Sequence, residues 1–176
     1  MKKFGILLGR FQPFHLGHEL IIREIIADGL HPVIIIGSSN KNDARNPYNA
    51  SDRFRMIRSV FQDATILLCP DYDSWYAWWN NTCAIIGQGI LQDAVFYVNR
   101  KEQDLCNFKF SDKEYVDSTY IDIIQDSGYA IKTVTYPRLL GINVNATDIR
   151  VDINAHKHYI DGRVYRILQN LTKGEK

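Results

Sequence analysis

Phe4-Gly5-Ile6-Leu7-Leu8-Gly9-Arg10-Phe11-Gln12-Pro13-Phe14-His15-Leu16-Gly17-His18 is the stretch whose pattern decides the fold. Phe4 to Leu8 is almost wholly apolar and stops at Gly9, as does a strand buried on both faces. Beyond Pro13, the segment His18 to Ala27 sets Leu20, Ile21, Ile25 and Ile26 at helical spacing, and Gly29 ends it. The next apolar run, Val33 to Ile36, closes at Gly37. Strand, helix and strand therefore follow one another within the length of a βαβ unit.

Working outward, the alternation repeats. The spacing predicts a helix from about Ser51 to Phe61 with Ser51 as its cap, a strand Thr65 to Leu68, a helix Trp75 to Ile86 and a strand Ala94 to Val98. A helix Thr119 to Asp126, a strand Tyr129 to Tyr136 and a terminal helical segment Val164 to Leu171 follow. Such alternation implies an α/β fold: an open, doubly wound, Rossmann-like parallel sheet with helices on both faces and ligands beyond the carboxyl ends of its strands. A single domain is expected over 1–176, with a core of about 4–150 and a C-terminal helical segment of about 151–172. The polar stretch Asn99 to Lys113 reads as a mobile loop.

Composition narrows the function classes. The net charge is +1 with no long run of Lys or Arg, which argues against nucleic acid or an anionic membrane as partner and for small molecules. Cys69, Cys83 and Cys106 form no C-x-x-C pair, so neither a disulfide framework nor a structural zinc site is expected, and a reduced, cytoplasmic setting fits. The apolar start is cut short by Gly9, Arg10 and Pro13, and no run of about 18 apolar residues occurs, so neither export nor membrane insertion is expected. Oligomeric state is left open, a homo-oligomer included.

The loop between the first strand and the first helix is where an anion should sit. A helix N-terminus offers unpaired N–H groups and a positive dipole end, and Gly17, flanked by His15 and His18, removes a side chain that would block a phosphate. No G-x-x-x-x-G-K-[ST] is present, and the lone G-x-G, Gly87 to Gly89, has Gln92 where a third glycine would be needed. The two histidines could be half a metal site, but no H-E-x-x-H and no further ligand cluster accompany them, and no protein-held metal is expected.

Gly9 to His18 resembles the G-R-F-Q-P-x-H-x-G-H signature of the nicotinamide mononucleotide adenylyltransferases of the archaeal and Nudix-fused type. Asn143 to Arg150 is similar to that family's I-S-[SG]-T-x-[IV]-R, with Thr147, Ile149 and Arg150 matching and Asn145 and Ala146 standing where small hydroxyl residues are usual. Gly37-Ser38-Ser39, then Arg45-Asn46-Pro47-Tyr48 and Arg53, resemble G-S, R-[ND]-P-[FW]-T and E-R, and Pro70-Asp71 through Trp78 resembles the stretch ending in a ring-stacking Trp. The resemblance implies transfer of the adenylyl group of ATP to nicotinamide mononucleotide, giving NAD and pyrophosphate, with Mg2+ carried in by ATP.

It also implies roles. His15, His18 and Arg150 would serve catalysis, the histidines on the α- and β-phosphates and Arg150 on the β/γ side. Gly9, Arg10, Phe11, Gln12, Gly17, Asn99, Asn145 and Thr147 would join them around ATP. Arg10, Gly37, Ser38, Arg45, Asn46, Pro47, Asp71 and Trp78 would hold the mononucleotide. Trp75 and Trp79 are expected in the core, Trp79 being the alternative to Trp78, while Arg53, Arg55 and Arg58 read as a solvated helix face, Arg53 alone having a motif behind it, and His156 and His158 read as surface. The chemistry agrees, because a phosphate monoester with a second pKa of about 6 is already an anion near neutrality and needs alignment rather than a general base. Competing expectations are a pantetheine-phosphate adenylyltransferase or cytidylyltransferase, which share H-x-G-H, and a non-catalytic nucleotide-sensing module.

Overall fold

The computed structural model describes residues 1–99, 120–134 and 146–174. The Asn99 to Lys113 stretch beyond its first residue, Asn145, Cys106 and the expected strand end at Tyr136 lie outside the described residues. Five parallel strands, β1 (Phe4–Gly9), β2 (His31–Ile36), β3 (Thr65–Leu68), β4 (Ala94–Asn99) and β5 (Ala130–Val134), form one sheet in the order β3-β2-β1-β4-β5. The chain runs outward from β1 through β2 to β3, then returns to lay β4 on the other side of β1. The strand order therefore reverses between β1 and β4, and the carboxyl ends at such a reversal are where open α/β sheets bind their ligands.

The apolar runs sort by alternation. Leu7, Ile34 and Ile36 face one layer, with Ile21, Ile22 and Ile25 of α1 (Leu16–Ala27), Met56 and Ile57 of α2 (Ala50–Val60), and Val164 and Leu168 of α7 (Gly162–Gly174). Ile6, Val33, Ile35 and Phe96 face the other, with Trp78, Trp79 and Ile86 of α3 (Trp75–Ile86), Leu91 of α4 (Gln88–Leu91) and Ile124 of α5 (Tyr120–Asp126). Both faces are covered, as all-parallel sheets require. Gly5 sets the distance of the first layer: a Cβ there would lie 2.3 Å from Ile25 Cγ2. Gly5→Ala is expected to cost about 1–3 kcal/mol or more by overpacking. An unchanged denaturant midpoint would contradict that close approach.

Helix starts depart from the sequence reading in two places. α1 begins at Leu16 rather than His18, because His15 itself caps it. α2 is capped by Asn49 rather than Ser51, the Asn49 side chain accepting from the Asp52 N–H. Both residue types cap well, and the amide two positions earlier takes the role. Gly87, at φ 80°, ends α3 and leads into α4, so the Gly87-Gln88-Gly89 pattern separates two helices. The terminal helix is also longer at both ends than its apolar positions indicated. Cys69 and Cys83 are free thiols. No helix among the described residues is long and apolar enough to cross a membrane.

Candidate functional site

His15 and His18 form a reciprocal cap at the start of α1. The Gly17 N–H donates to His15 Nδ1 at 3.1 Å, and the His15 N–H donates to His18 Nδ1 at 3.3 Å. The arrangement is a capping box in which imidazoles replace the usual hydroxyl and carboxylate. Its chemical consequence is a fixed tautomer. A nitrogen that accepts cannot also carry a proton, so each neutral ring bears its hydrogen on Nε2. The rings stack with centroids 3.8 Å apart, and Phe11 and Phe14 pack on His18 at 4.7 and 5.8 Å. Burial lowers the His15 pKa to about 4; burial, and then the neighbouring His15, hold His18 well below its ordinary value. Near neutrality the helix start thus presents two uncharged Nε2–H donors whose other nitrogens are already engaged.

Gly17 has a second reason beside the one its sequence position suggested. A Cβ there would meet His15 Cε1 at 3.0 Å, so the glycine makes room for the folded-back ring of the cap. Phe11 is 1% exposed and its ring lies under Gly9, where an added Cβ would meet it at 3.1 Å. The Gln12 side chain is committed to the Tyr48 backbone, donating to its carbonyl at 2.8 Å and accepting from its N–H at 3.0 Å. The Gln12 carbonyl accepts from Arg150 Nη1 at 2.5 Å, and Arg150 Nη2 donates to Thr147 Oγ1 at 3.2 Å. Helix α6 (Ala146–Val151) is thereby tied to the loop that carries the histidines.

The remaining expected residues gather along the same edge. Gly37 and Ser38 follow β2, Asp71 follows β3, and β4 ends at Asn99. Ser38 Oγ donates to Asp71 Oδ1 at 2.9 Å, and the Asn40 side chain accepts from the Asp71 N–H at 2.9 Å, lacing the ends of β2 and β3 together. Asp43 Oδ1 accepts from the N–H groups of Arg45 and Asn46 and from Asn46 Nδ2, which holds the turn that displays the exposed Arg45 and Pro47. The positions expected around ATP thus lie at β1, β4 and α6, and those expected around the mononucleotide at β2 and β3, with the exposed Arg10 between the two groups.

Two assignments change. Trp75, expected in the core, is 40% exposed, and its ring meets Trp78 edge-on at 5.5 Å. Trp79 lies in the core as expected, packed against Phe96 and Tyr129, and Trp78 beside it is equally buried at 8% exposure. Arg53, at a position that reads as surface, is fully buried beneath the site loops. Its only signal in the sequence was the match to E-R. Arg55 pairs with Asp52 and Arg58 lies over Phe54, as helix-face residues do. His156 and His158 are exposed or nearly so, apart from the histidine pair.

Similarity places this geometry among known proteins. A nicotinamide-nucleotide adenylyltransferase of Methanolobus tindarius is 47% identical over 60 residues, 34% of this chain and 35% of that protein. One from Halobacterium salinarum is 44% identical over 64 residues, 36% of each. The match therefore spans about a third of these relatives' own length. A bifunctional NMN adenylyltransferase/ADP ribose pyrophosphatase from Francisella tularensis superposes with a TM-score of 0.74 at 21% identity, covering 98% of this chain and 50% of that one; at that identity the likeness is one of fold. The family model described as cytidylyltransferase-like matches residues 6–133, well over half of the sequence, and the chain belongs to that family.

Proposed function

We propose that this chain transfers the adenylyl group of ATP to nicotinamide mononucleotide, releasing pyrophosphate and forming NAD. The observation that carries the proposal is the imidazole capping box, which leaves two Nε2–H groups as the free donors of a helix start that follows β1, the strand at which the sheet order reverses. The relatives' names supply the choice of acceptor among the chemistries such a site could run.

The reaction asks little covalent work of the protein. An oxygen of the mononucleotide phosphate attacks the α-phosphorus of ATP, the bond from that phosphorus to the bridging oxygen breaks, and pyrophosphate leaves with the electron pair. His15 and His18 donate to the α- and β-phosphate oxygens as charge shifts toward the leaving group, and Arg150 takes the β/γ side. Arg10 and Arg45 draw in the mononucleotide phosphate, with Gly37, Ser38, Asn46, Pro47 and Asp71 around the rest of that substrate. Among the described residues no group of three His, Cys, Asp or Glu could hold a metal ion. Magnesium enters on the triphosphate as part of the substrate, where it would draw charge from the phosphate oxygens. The free Cys69 and Cys83 suit a reducing compartment, and the cytoplasm is the setting we assign.

Trp78 is assigned to the nicotinamide ring. Trp78→Ala is expected to raise KM for the mononucleotide about tenfold while KM for ATP moves far less, since stacking on an aromatic is worth about 1–3 kcal/mol. Trp75→Ala is the control, its exposed ring lying edge-on to Trp78. An equal rise for both substrates, or an effect confined to Trp75, would remove Trp78 from the site.

The whole reading is tested by incubating the protein with MgATP and, in turn, nicotinamide mononucleotide, its acid counterpart, pantetheine phosphate and choline phosphate, with products identified by mass. NAD and pyrophosphate in equal amounts are expected. Dephospho-coenzyme A as the main product, or no turnover with any acceptor, would overturn it.

A further inference from the structure

Arg53 is the largest side chain buried without exposure, and it forms no ion pair among the described residues. Buried charges are ordinarily paired, so its partners matter. All are main-chain carbonyls: Nε donates to Asn49 at 3.3 Å, Nη1 to Arg10 at 2.9 Å and Gly37 at 2.7 Å, and Nη2 to Ser38 at 3.0 Å. One guanidinium on α2 thus grips the loop after β1 and the loop after β2 together.

Peptide planarity turns that grip into a consequence for the opposite side of each loop. In a trans peptide the C=O and N–H point in opposite directions. With the Arg10 and Gly37 carbonyls held toward the guanidinium, the N–H groups of Phe11 and Ser38 point away from it. Phe11 and Ser38 are also the non-glycine residues at positive φ among the described residues, at 52° and 48°. Such a conformation persists only where the surroundings impose it. Neither N–H has a hydrogen-bond partner among the described residues, although Phe11 is 1% and Ser38 9% exposed. Backbone N–H groups of a folded chain are nearly always paired with protein, water or a ligand. Two inward carbonyls and two unpartnered amides on the same two peptides describe a donor pair awaiting an anion.

We propose that Arg53 is a positioning residue for the phosphate of the mononucleotide: its guanidinium fixes the two loop peptides so that the Phe11 and Ser38 amides face that phosphate, which moves the Phe11 amide from the ATP group expected above to the mononucleotide side, a role that rests on the function proposed above. The fork geometry matters, because the three N–H groups of an ammonium radiate from one atom and do not reproduce the planar spread by which Nη1 and Nη2 reach the carbonyls of both loops.

Arg53→Lys keeps the charge and removes the fork. The variant is expected to raise KM for the mononucleotide tenfold or more while KM for MgATP stays within threefold, with a single cooperative thermal transition retained. Equal changes in both constants, or none, would overturn the role. Should the variant fail to fold, the parent protein decides the matter by NMR: the Phe11 and Ser38 amide resonances should move on titration with nicotinamide mononucleotide or inorganic phosphate and stay in place with nicotinamide riboside, which lacks the phosphate. If the parent forms no NAD but those amides respond to phosphate, the proposed reaction fails and the positioning role stands. If NAD forms and the amides do not move, the role is overturned.

Discussion

His18→Ala is expected to lower kcat roughly a hundredfold or more with little change in ATP affinity, as removal of one preorganised donor to developing charge does. The ring has two separable duties. Its Nδ1 accepts from the His15 N–H and completes the cap, while Nε2–H is left to donate. Alanine removes both, and loss of the cap alone should cost about 0.5–2 kcal/mol of stability. His18→Gln separates them, since glutamine is the ordinary partner at this position of a capping box. The Gln variant should recover the lost stability and regain little of the rate. If it turns over like the parent, His18 is a structural cap and the imidazole has no chemical part.

Arg150→Ala should raise KM for ATP and weaken pyrophosphate inhibition by about ten- to a hundredfold, the worth of about 1.5–3 kcal/mol for a hydrogen bond to a charged group, while mononucleotide affinity stays near the parent value. Its guanidinium reaches the Gln12 carbonyl, in the loop that ends at His15, and Thr147 on its own helix. Steady-state kinetics with each substrate varied in turn, plus product inhibition by pyrophosphate, checks this. A loss confined to the mononucleotide would move Arg150 to the other half of the site.

What the sequence displayed and what it hid follow from different physics. The runs Phe4 to Leu8 and Val33 to Ile36 are buried on both faces, and uninterrupted apolar residues declare that without reference to any partner. The loop holding His15 and His18 was legible as a helix start, yet the space Gly17 leaves for the cap was not, because it depends on the His15 ring folding back over it. Arg53 was hidden for a related reason. With Arg55 and Arg58 it reads as one solvated face, and only the packing of α2 against the loops turns one of the three inward. Asn49 and Ser51 are both competent caps two residues apart, and local sequence does not choose between them. Trp75, Trp78 and Trp79 share helical spacing, so only tertiary packing, against Phe96 and Tyr129 in the case of Trp79, separates the buried pair from the exposed ring.

The most direct test of the chemistry is the pH profile of kcat/KM for the parent and for His15→Asn, with chemistry confirmed as the slow step. Burial brings His15 to about 4 and holds His18 well below its ordinary value, so His15 is neutral across pH 5–8 in the free protein and lends no limb there, and His18 is neutral near pH 7. Because an unfolded histidine binds its proton near 6.5 and these take theirs lower, acidification from about 6.5 toward about 4 favours unfolding, and the folded fraction must be followed alongside the rate. The acid limb should then fall at pH ~6, the second ionisation of the attacking phosphate. It should survive in His15→Asn, a slower enzyme with an unmoved limb. Disappearance of that limb in the variant would make His15 a general base and contradict a pair of neutral donors serving a nucleophile that is already an anion.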